Sequence, residues 1–457
     1  MGKPSEAALA TALAEAAGAD AVLTDPADCW TYGYDNSRRQ ATPRAVVLPA
    51  DTEAVRGVVE ACRRFRLPLT VRGRGTATTG AAVPEEGGVV VSMERMAEVL
   101  AVDAANRVAV VQPGVTNGAL QAAVAPSGFF WAPDPGSAEY STIGGNLGCN
   151  AAGPRALKYG TPRENTLGLE AVTGDARVIR CGCYTTKGVV GLDLTRLLIG
   201  SEGTLALITE ATLKLTPLPE RIATLRAAYR DMHAASAAVS RIMSQPVVPR
   251  VLEFLDGAAL ELLRTRAAGE LPTGAGALLM IEVDGLAEHL PAAVRALERA
   301  ASGDGLLEWR AATDEREAAS LWSARKALSP ALRSLAPKKI NEDVVVPVSR
   351  MPELTDGLSR LAERHRVQIV SFGHAGNGNL HVNVLGEEAD VDRMRACVDE
   401  VFRLVLQLGG TLSGEHGVGR SKRPFVPLEL GEDTLETMRR IKRTFDPDNI
   451  LNPGVSL

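Results

Sequence analysis

From residue 132 to residue 170 the chain is rich in Gly, Asn, Pro and Ser and shows little periodicity of either helix or strand. A stretch this long without secondary structure is uncommon inside a compact domain and usually has a function, such as wrapping a ligand. Its flanks are regular. AVVLPAD, EAVRGVVEACRRF, LPLTVRGRGT, VVVSM and VAVVQPG, between 45 and 115, read as strand, helix, strand, loop and strand, an α/β opening. LEAVTGDARVIR and GTLALITEATLKLTPLP, which follow, are β-branched and strand-like.

Length sets the number of units. At about 150 residues per domain, 457 residues predict two or three. Pro217 and Pro219 mark a boundary, and beyond it strands alternate with long helices, as in ALLMIEVDG followed by LAEHLPAAVRALERAA. The tail TLETMRRIKRTFDPDNILNPG reads as a basic helix stopped at Pro447. The expected domains are 1–218, 219–420 and a helical tail, 421–457, packing back on the first.

A 45% apolar and 23% charged composition excludes disordered and fibrous classes, and a net charge of −5 gives no whole-chain footprint for nucleic acid. Glu6 and Glu15 interrupt the Ala-rich start, which reads as an amphipathic helix and not a signal peptide. No window approaches the roughly 18 consecutive apolar residues of a membrane span. The expected location is the cytoplasm, with any membrane attachment peripheral. Cys29, Cys62, Cys149, Cys181, Cys183 and Cys397 are scattered without CxxC, so free thiols are expected and an in-chain iron–sulfur site is not. The spaced pair Cys181 and Cys183 leaves metal binding or oxidation as a minor alternative.

VRGRGTATTG follows a strand pattern and sets Gly73, Gly75 and Gly80 among threonines and two arginines. Glycine lets backbone N–H groups converge on an anion, and Thr hydroxyls with Arg charge complement a phosphate. The loop matches neither GxGxxG nor GxxxxGK[ST], and an ordinary solvated Gly loop remains the alternative.

Two further stretches, PDPGSAEYSTIGGNLGCNAAGPRALKYG (133–160) and DLTRLLIGSEGTLALITEATLKL (193–215), combine with RGRGT into an order and spacing that resemble the FAD-binding domain of the vanillyl-alcohol oxidase superfamily, the p-cresol methylhydroxylase type. The resemblance implies that the first loop holds the pyrophosphate, the second runs along the ribityl chain and isoalloxazine, and the third closes over the flavin and adenine side. It assigns cofactor binding to Arg72, Gly73, Arg74, Gly75, Thr76, Thr79 and Gly80, to Pro135, Gly136, Ser141, Thr142, Gly144, Gly145, Asn150 and Gly153, and to Glu202, Gly203 and Ile208. The first loop has no His or Cys for a covalent tether, although Cys149 lies in the second, so non-covalent FAD is expected.

GHAGNGNLHVN (373–383) brackets Gly and Asn residues with two of the six histidines. Asn-Gly between strand-like flanks predicts a two-residue type I′ hairpin. With Asn377 and Gly378 as the turn, 376 pairs with 379, 375 with 380, and His374 lies opposite His381, near enough to share an ion. A carboxylate would complete an open zinc site, and Glu415 in SGEHGVG is the candidate. Its neighbour His416 is placed to act as a base, since an imidazole with an ordinary pKa of about 6.5 accepts protons at neutral pH. The alternative is two histidines hydrogen-bonded in a polar hairpin with a surface Glu415. His233, His289 and His365 lie in polar helix-like contexts and are expected to be solvent-exposed.

Both signatures are similar to those of the C-terminal domain of FAD-linked 2-hydroxy acid dehydrogenases, of D-lactate, D-2-hydroxyglutarate and glycolate oxidase subunit types. The resemblance implies a divalent ion, usually zinc, on His374, His381 and Glu415, with His416 as catalytic base. It also implies substrate contact by Asn383 and a grip on the substrate carboxylate by Arg325 in LWSARKAL. Asn341 stands where the 2-hydroxyglutarate branch has a lysine, which favours a D-lactate-like substrate.

The fold class implied is α+β: a two-part FAD domain and a cap domain with a mainly antiparallel sheet. The activity implied is oxidation of a D-2-hydroxy acid to the 2-oxo acid with hydride transfer to flavin. Electrons then pass to a quinone, an electron-transfer flavoprotein, a cytochrome, an iron–sulfur subunit or oxygen, and a homodimer is left open. Two other readings stay open: a flavin-binding subunit of a glycolate oxidase-type complex, and a zinc hydrolase.

Overall fold

The computed structural model describes residues 6–264 and 272–457. Contacts divide the chain into two units, one comprising the chain up to Ala152, Gly160–Leu218 and Glu415–Leu457, the other Gly153–Tyr159 and Pro219–Gly414. The second unit thus ends at Gly414, ahead of the boundary at 420 expected from the sequence, and it includes a heptapeptide, Gly153–Tyr159, that the sequence places in the first. Both units mix helices and sheets, the α+β class expected. Among the described residues no helix is long and apolar enough to cross a membrane.

The first unit holds two sheets. One has strands Val22–Leu23, Ala45–Val47, Val89–Ser92 and Leu69–Arg72 in that order, the last three parallel. Its Val-rich strands are almost wholly buried, as parallel strands between layers must be. Helix Thr52–Phe65, capped at its N-terminus by Asp51, which accepts from Ala54 N at 2.8 Å, packs Val55, Val58 and Val59 into the same core as Leu9 and Leu13 of helix Glu6–Ala17. The other sheet is antiparallel, in the order Val99–Asp103, Val108–Val111, Ala206–Lys214, Thr166–Thr173, Val178–Gly182. Trp131 is fully buried behind it, and its indole N–H donates to Asn165 O at 3.1 Å. The chain end adds to the first sheet: Leu69 N donates to Ile450 O and Asn452 N to Leu69 O, both at 2.7 Å.

The second unit is built on one seven-stranded antiparallel sheet. Its order is Leu306–Ala311, Arg221–Tyr229, Ala277–Gly285, Val251–Asp256, Gln368–Gly373, Asn379–Gly386, Lys338–Val345. Helices Met232–Met243, Leu290–Ala301, Met351–His365 and Val391–Gln407 form one packed layer. Helices Gly257–Arg264 and Glu315–Ala331 close an apolar cluster with Leu255, Leu278, Met280, Val370 and Phe372. Partners in an antiparallel ladder share a face, and side chains alternate along each strand. By that rule Glu253, His381, Asn383, Asp343 and Asn341 stand on the same face as this cluster, through the pairs Leu255↔Phe372, Phe372↔His381, His381↔Asp343 and Asn383↔Asn341. One face therefore carries an apolar half covered by helices and a polar half.

The hairpin at 373–383 does not close by the type I′ turn expected at Asn377–Gly378. Ala375–Asn377 forms a single 3-10 turn, of Asn377 and Gly378 only Gly378 adopts positive φ (+73°), and Phe372, not His374, lies opposite His381. The cause is tertiary. Gly373 pairs with Phe254 of the neighbouring strand, drawing His374 out of the ladder, while Val346 N donates to Gly378 O at 3.1 Å from the strand on the other side.

Candidate active site

In the first unit the two leading glycine-rich stretches are fitted to each other. A Cβ at Gly73 would lie 2.3 Å from Thr142 Oγ1, and one at Gly144 would lie 2.6 Å from Pro113 Cβ, so both contacts require glycine. Thr142 caps helix Ile143–Cys149, accepting from Gly145 N at 3.3 Å, and Asn150 ends it in the left-handed region at φ 54°. Asn150 Oδ1 then accepts from Thr161 Oγ1 at 3.0 Å and Arg163 N at 3.2 Å. Arg72 is buried, its guanidinium donating to Tyr34 O between the rings of Tyr32 and Tyr34, while Arg74 is exposed. Gly75 folds over the Arg72 guanidinium at φ +65°.

The residues present fit a flavin. Ser141 Oγ and Asn146 Nδ2 are buried without a hydrogen-bond partner among the described residues, at a cost that a ligand's polar atoms would offset. Gly136 and Gly148 have no neighbour within 4 Å of a would-be Cβ, so no described part of the polypeptide demands glycine there. Pro135 is buried and Gly145 exposed along the same stretch, and Thr76 is half-buried in the first loop. Asn146 was not singled out by the sequence; its position one turn into a short Gly-rich helix was the only signal.

The third stretch faces inward. Glu202, at φ 52°, accepts on its carboxylate from Gly419 N (3.0 Å) and Ser456 Oγ, and its carbonyl accepts from Asn452 Nδ2 at 2.8 Å. Burial pushes its pKa up, partly offset by these donors. Gly203 (φ +70°) abuts Val71, and Ile208 is in the core. Glu202 and Thr79 together fasten the SGEHGVG segment: Thr79 Oγ1 donates to His416 O at 3.3 Å, and Thr79 O accepts from Arg420 N and Ser421 N at 2.9 and 3.0 Å. Gly80, at φ +82°, closes the same loop.

In the second unit His374 and His381 meet despite the altered turn, with ring centroids 5.2 Å apart and planes 87° apart. Each brings a ligand nitrogen within 4.8 Å of the other. Asp343 Oδ1 lies 3.8 Å from His381 Nδ1, and Phe372 lies edge-on to His381 at 5.9 Å. Glu253, missed by the sequence reading, sits between His374 and Arg325. Its Oε1 accepts from His374 Nδ1, and its Oε2 accepts from Arg325 Nε at 2.7 Å and pairs with Nη2 at 2.7 Å. Burial alone would raise its pKa, but the charges of His374 and Arg325 outweigh burial and hold it at about 2. The Arg325 guanidinium also stacks on Phe372 at 4.6 Å.

Asn383 is fully buried, its amide donating to Val370 O (3.0 Å) and His381 O (3.2 Å). Its carbonyl accepts from the half-buried Asn341 at 2.8 Å, so Asn341 is the more outward of the pair. Asp343 also holds Gly414 N at 2.9 Å and Ser413 Oγ at 3.3 Å. Glu415 and His416 are the next two residues of the chain, and Gly153 opens the heptapeptide assigned to this unit.

A buried carboxylate that fixes a histidine by Nδ1 leaves Nε2 as the ligand nitrogen, a common arrangement in metal sites. With one carboxylate beside each ring, the donor set suits a divalent cation.

A family model described as FAD linked oxidases, C-terminal domain, matches residues 218–455, and one described as FAD binding domain matches residues 43–182. The chain belongs to the FAD-linked oxidases. The glycolate oxidase subunit GlcD of Bacillus subtilis is 39% identical over 427 residues, 93% of this chain and 91% of that one. A D-lactate dehydrogenase of Archaeoglobus fulgidus is 37% identical over 433 residues, 93% of this chain and 94% of that one. p-Cresol methylhydroxylase, solved with substrate bound, shares the fold at a TM-score of 0.79 and 18% identity, covering 98% of this chain and 96% of that one. Membership in this family, with its FAD-binding domain, sets the zinc hydrolase reading aside.

Proposed function

We propose that this protein oxidises a small D-2-hydroxy acid, D-lactate or a near relative, to the 2-oxo acid, with a divalent cation on His374, His381 and Glu415. The observation that carries the reading is the joining of His374 and Arg325, the expected cation ligand and carboxylate grip, on one buried carboxylate. The likeness to a D-lactate dehydrogenase and a glycolate oxidase subunit supports it. FAD, when bound, supplies a two-electron acceptor, and the cation supplies positive charge beside the substrate oxygens.

Arg325 orients the substrate carboxylate. Its Nε–Nη2 edge is engaged by Glu253, so the substrate approaches from the Nη1 side and not through the full fork. His416 takes the hydroxyl proton on its imidazole, and the hydrogen bond that Thr79 Oγ1 donates to His416 O holds that residue to the flavin loop. Asn341, a neutral side chain, offers no countercharge to a second substrate carboxylate, which favours a monocarboxylate.

A second reading, a subunit that works only within a larger complex, is favoured by the word subunit in the name of the Bacillus subtilis relative. Anaerobic addition of D- and L-2-hydroxy acids to the purified yellow protein tests both. Bleaching by one enantiomer, lost after chelation and in His416→Ala, is expected. A protein that no 2-hydroxy acid bleaches refutes the enzyme reading and favours the subunit, and near-normal bleaching of His416→Ala refutes the assigned base.

A further inference from the structure

Glu253 lies in the strand Val251–Asp256, all six residues of which are buried, and is itself 1% exposed. An anion placed there is costly unless both oxygens are paired. Both are. One takes the Nδ1–H of His374, the other the Nε–Nη2 edge of Arg325. His374 stands on the loop after Gly373, and Arg325 on helix Glu315–Ala331, so the two reach the same carboxylate from separate elements. Phe372 completes the arrangement, stacked on Arg325 and edge-on to His381.

We infer that Glu253 is a positioning residue for two functions at once, setting the ring of His374 for cation binding and the guanidinium of Arg325 for the substrate carboxylate. The inference rests on the roles proposed above for those two residues. Its consequence is coupling: the cation and the substrate carboxylate are held through one support, and a change at one is felt at the other. Asp343 differs. It stands beside His381 and is bonded to Asn379, Ser413 and Gly414.

The test uses the FAD-loaded protein, zinc alone as probe, and steady-state kinetics with D-lactate. Glu253→Gln keeps the shape and removes the charge. Zinc affinity is expected to fall about 10- to 100-fold, the range for losing a carboxylate behind a ligating histidine. KM should rise about tenfold or more with FAD content unchanged, and Glu253→Asp should restore part of both. A purely structural ion pair would lower the unfolding midpoint and leave zinc affinity and KM where they were, which overturns the inference.

Arg325→Lys provides a second route should Glu253→Gln fail to fold. Although residue 325 touches no cation, its zinc dissociation constant should move by about threefold or more, the lower end of couplings within one ion-pair network. An unchanged constant overturns the inference. Wild-type protein that binds no zinc overturns both this inference and the cation reading. Wild type that binds zinc and Glu253→Gln that binds it equally well overturn the Glu253 inference alone.

Discussion

Gly378 is the position where the loop between the two histidines has least latitude. Replacing it by alanine imposes two costs. A Cβ residue at φ +73° pays about 1–2 kcal/mol for the left-handed region. That Cβ would also stand 1.9 Å from Val346 O, more than 1 Å inside ordinary contact and against backbone that cannot rotate away. Relief requires the loop to part from residue 346, losing the Val346 N to Gly378 O bond, worth about 0.5–1.5 kcal/mol, with about 1–3 kcal/mol of overpacking strain besides. The expected total is about 3–6 kcal/mol. Gly409 supplies the control: it has φ +76° and nothing within 4 Å, so Gly409→Ala pays only the conformational part, about 1–2 kcal/mol. Urea unfolding of both variants, with zinc titration of the folded proteins, should show the larger loss of stability and weaker zinc binding at Gly378→Ala alone. Equal unfolding midpoints for the two variants would refute the steric reasoning.

At Gly148 the signs are opposed. Gly148→Ala lies in a helix with open space at its Cβ and should leave stability unchanged or raise it by up to about 1 kcal/mol, while FAD is retained less well on gel filtration; full retention would mean that the space is not the flavin's. Asp256 should impose a pH dependence. Burial pushes its carboxyl up to about 7 against the pull of the Ala259, Ser371 and Ala258 amides. The folded state then holds a proton that the unfolded state releases, so this contribution is full below about pH 4 and is lost as pH rises through about 7. Asp256→Asn should flatten the decline in unfolding free energy between pH 5 and pH 8, and an unaltered slope would count against the assignment.

The flavin stretches were legible because their glycines are spaced as a motif in the sequence, and the structure shows why two of them are glycine: a Cβ at Gly73 would meet Thr142 and one at Gly144 would meet Pro113. The histidine pairing was legible for a partly wrong reason. Asn-Gly is a local rule for an isolated hairpin, and here the strands on either side, through Phe254 and Val346, set the loop instead. Asn383 was expected at the substrate; alternation sets it on the same face as His381, buried and bonded to Asn341. Glu253 left one trace in the sequence, a carboxylate in the apolar run VLEFLD. Its partners lie 72 and 121 residues away, on elements whose registration no single strand discloses.

The heptapeptide Gly153–Tyr159 has a bearing on how such a protein could be recombined. A designer exchanging the guest domain between relatives would cut at Leu218 and Gly414, where the two units part in sequence. That graft would leave behind Lys158 and Tyr159, both of which bond to Asp284 of the guest. It would also take from the buried Asp284 its lysine and tyrosine partners, leaving Arg250 at 3.6 Å as its remaining cation. A portable cassette therefore comprises two segments, one of seven residues between Ala152 and Gly160 of the host, and chimaeras that respect both should fold where single-crossover ones fail.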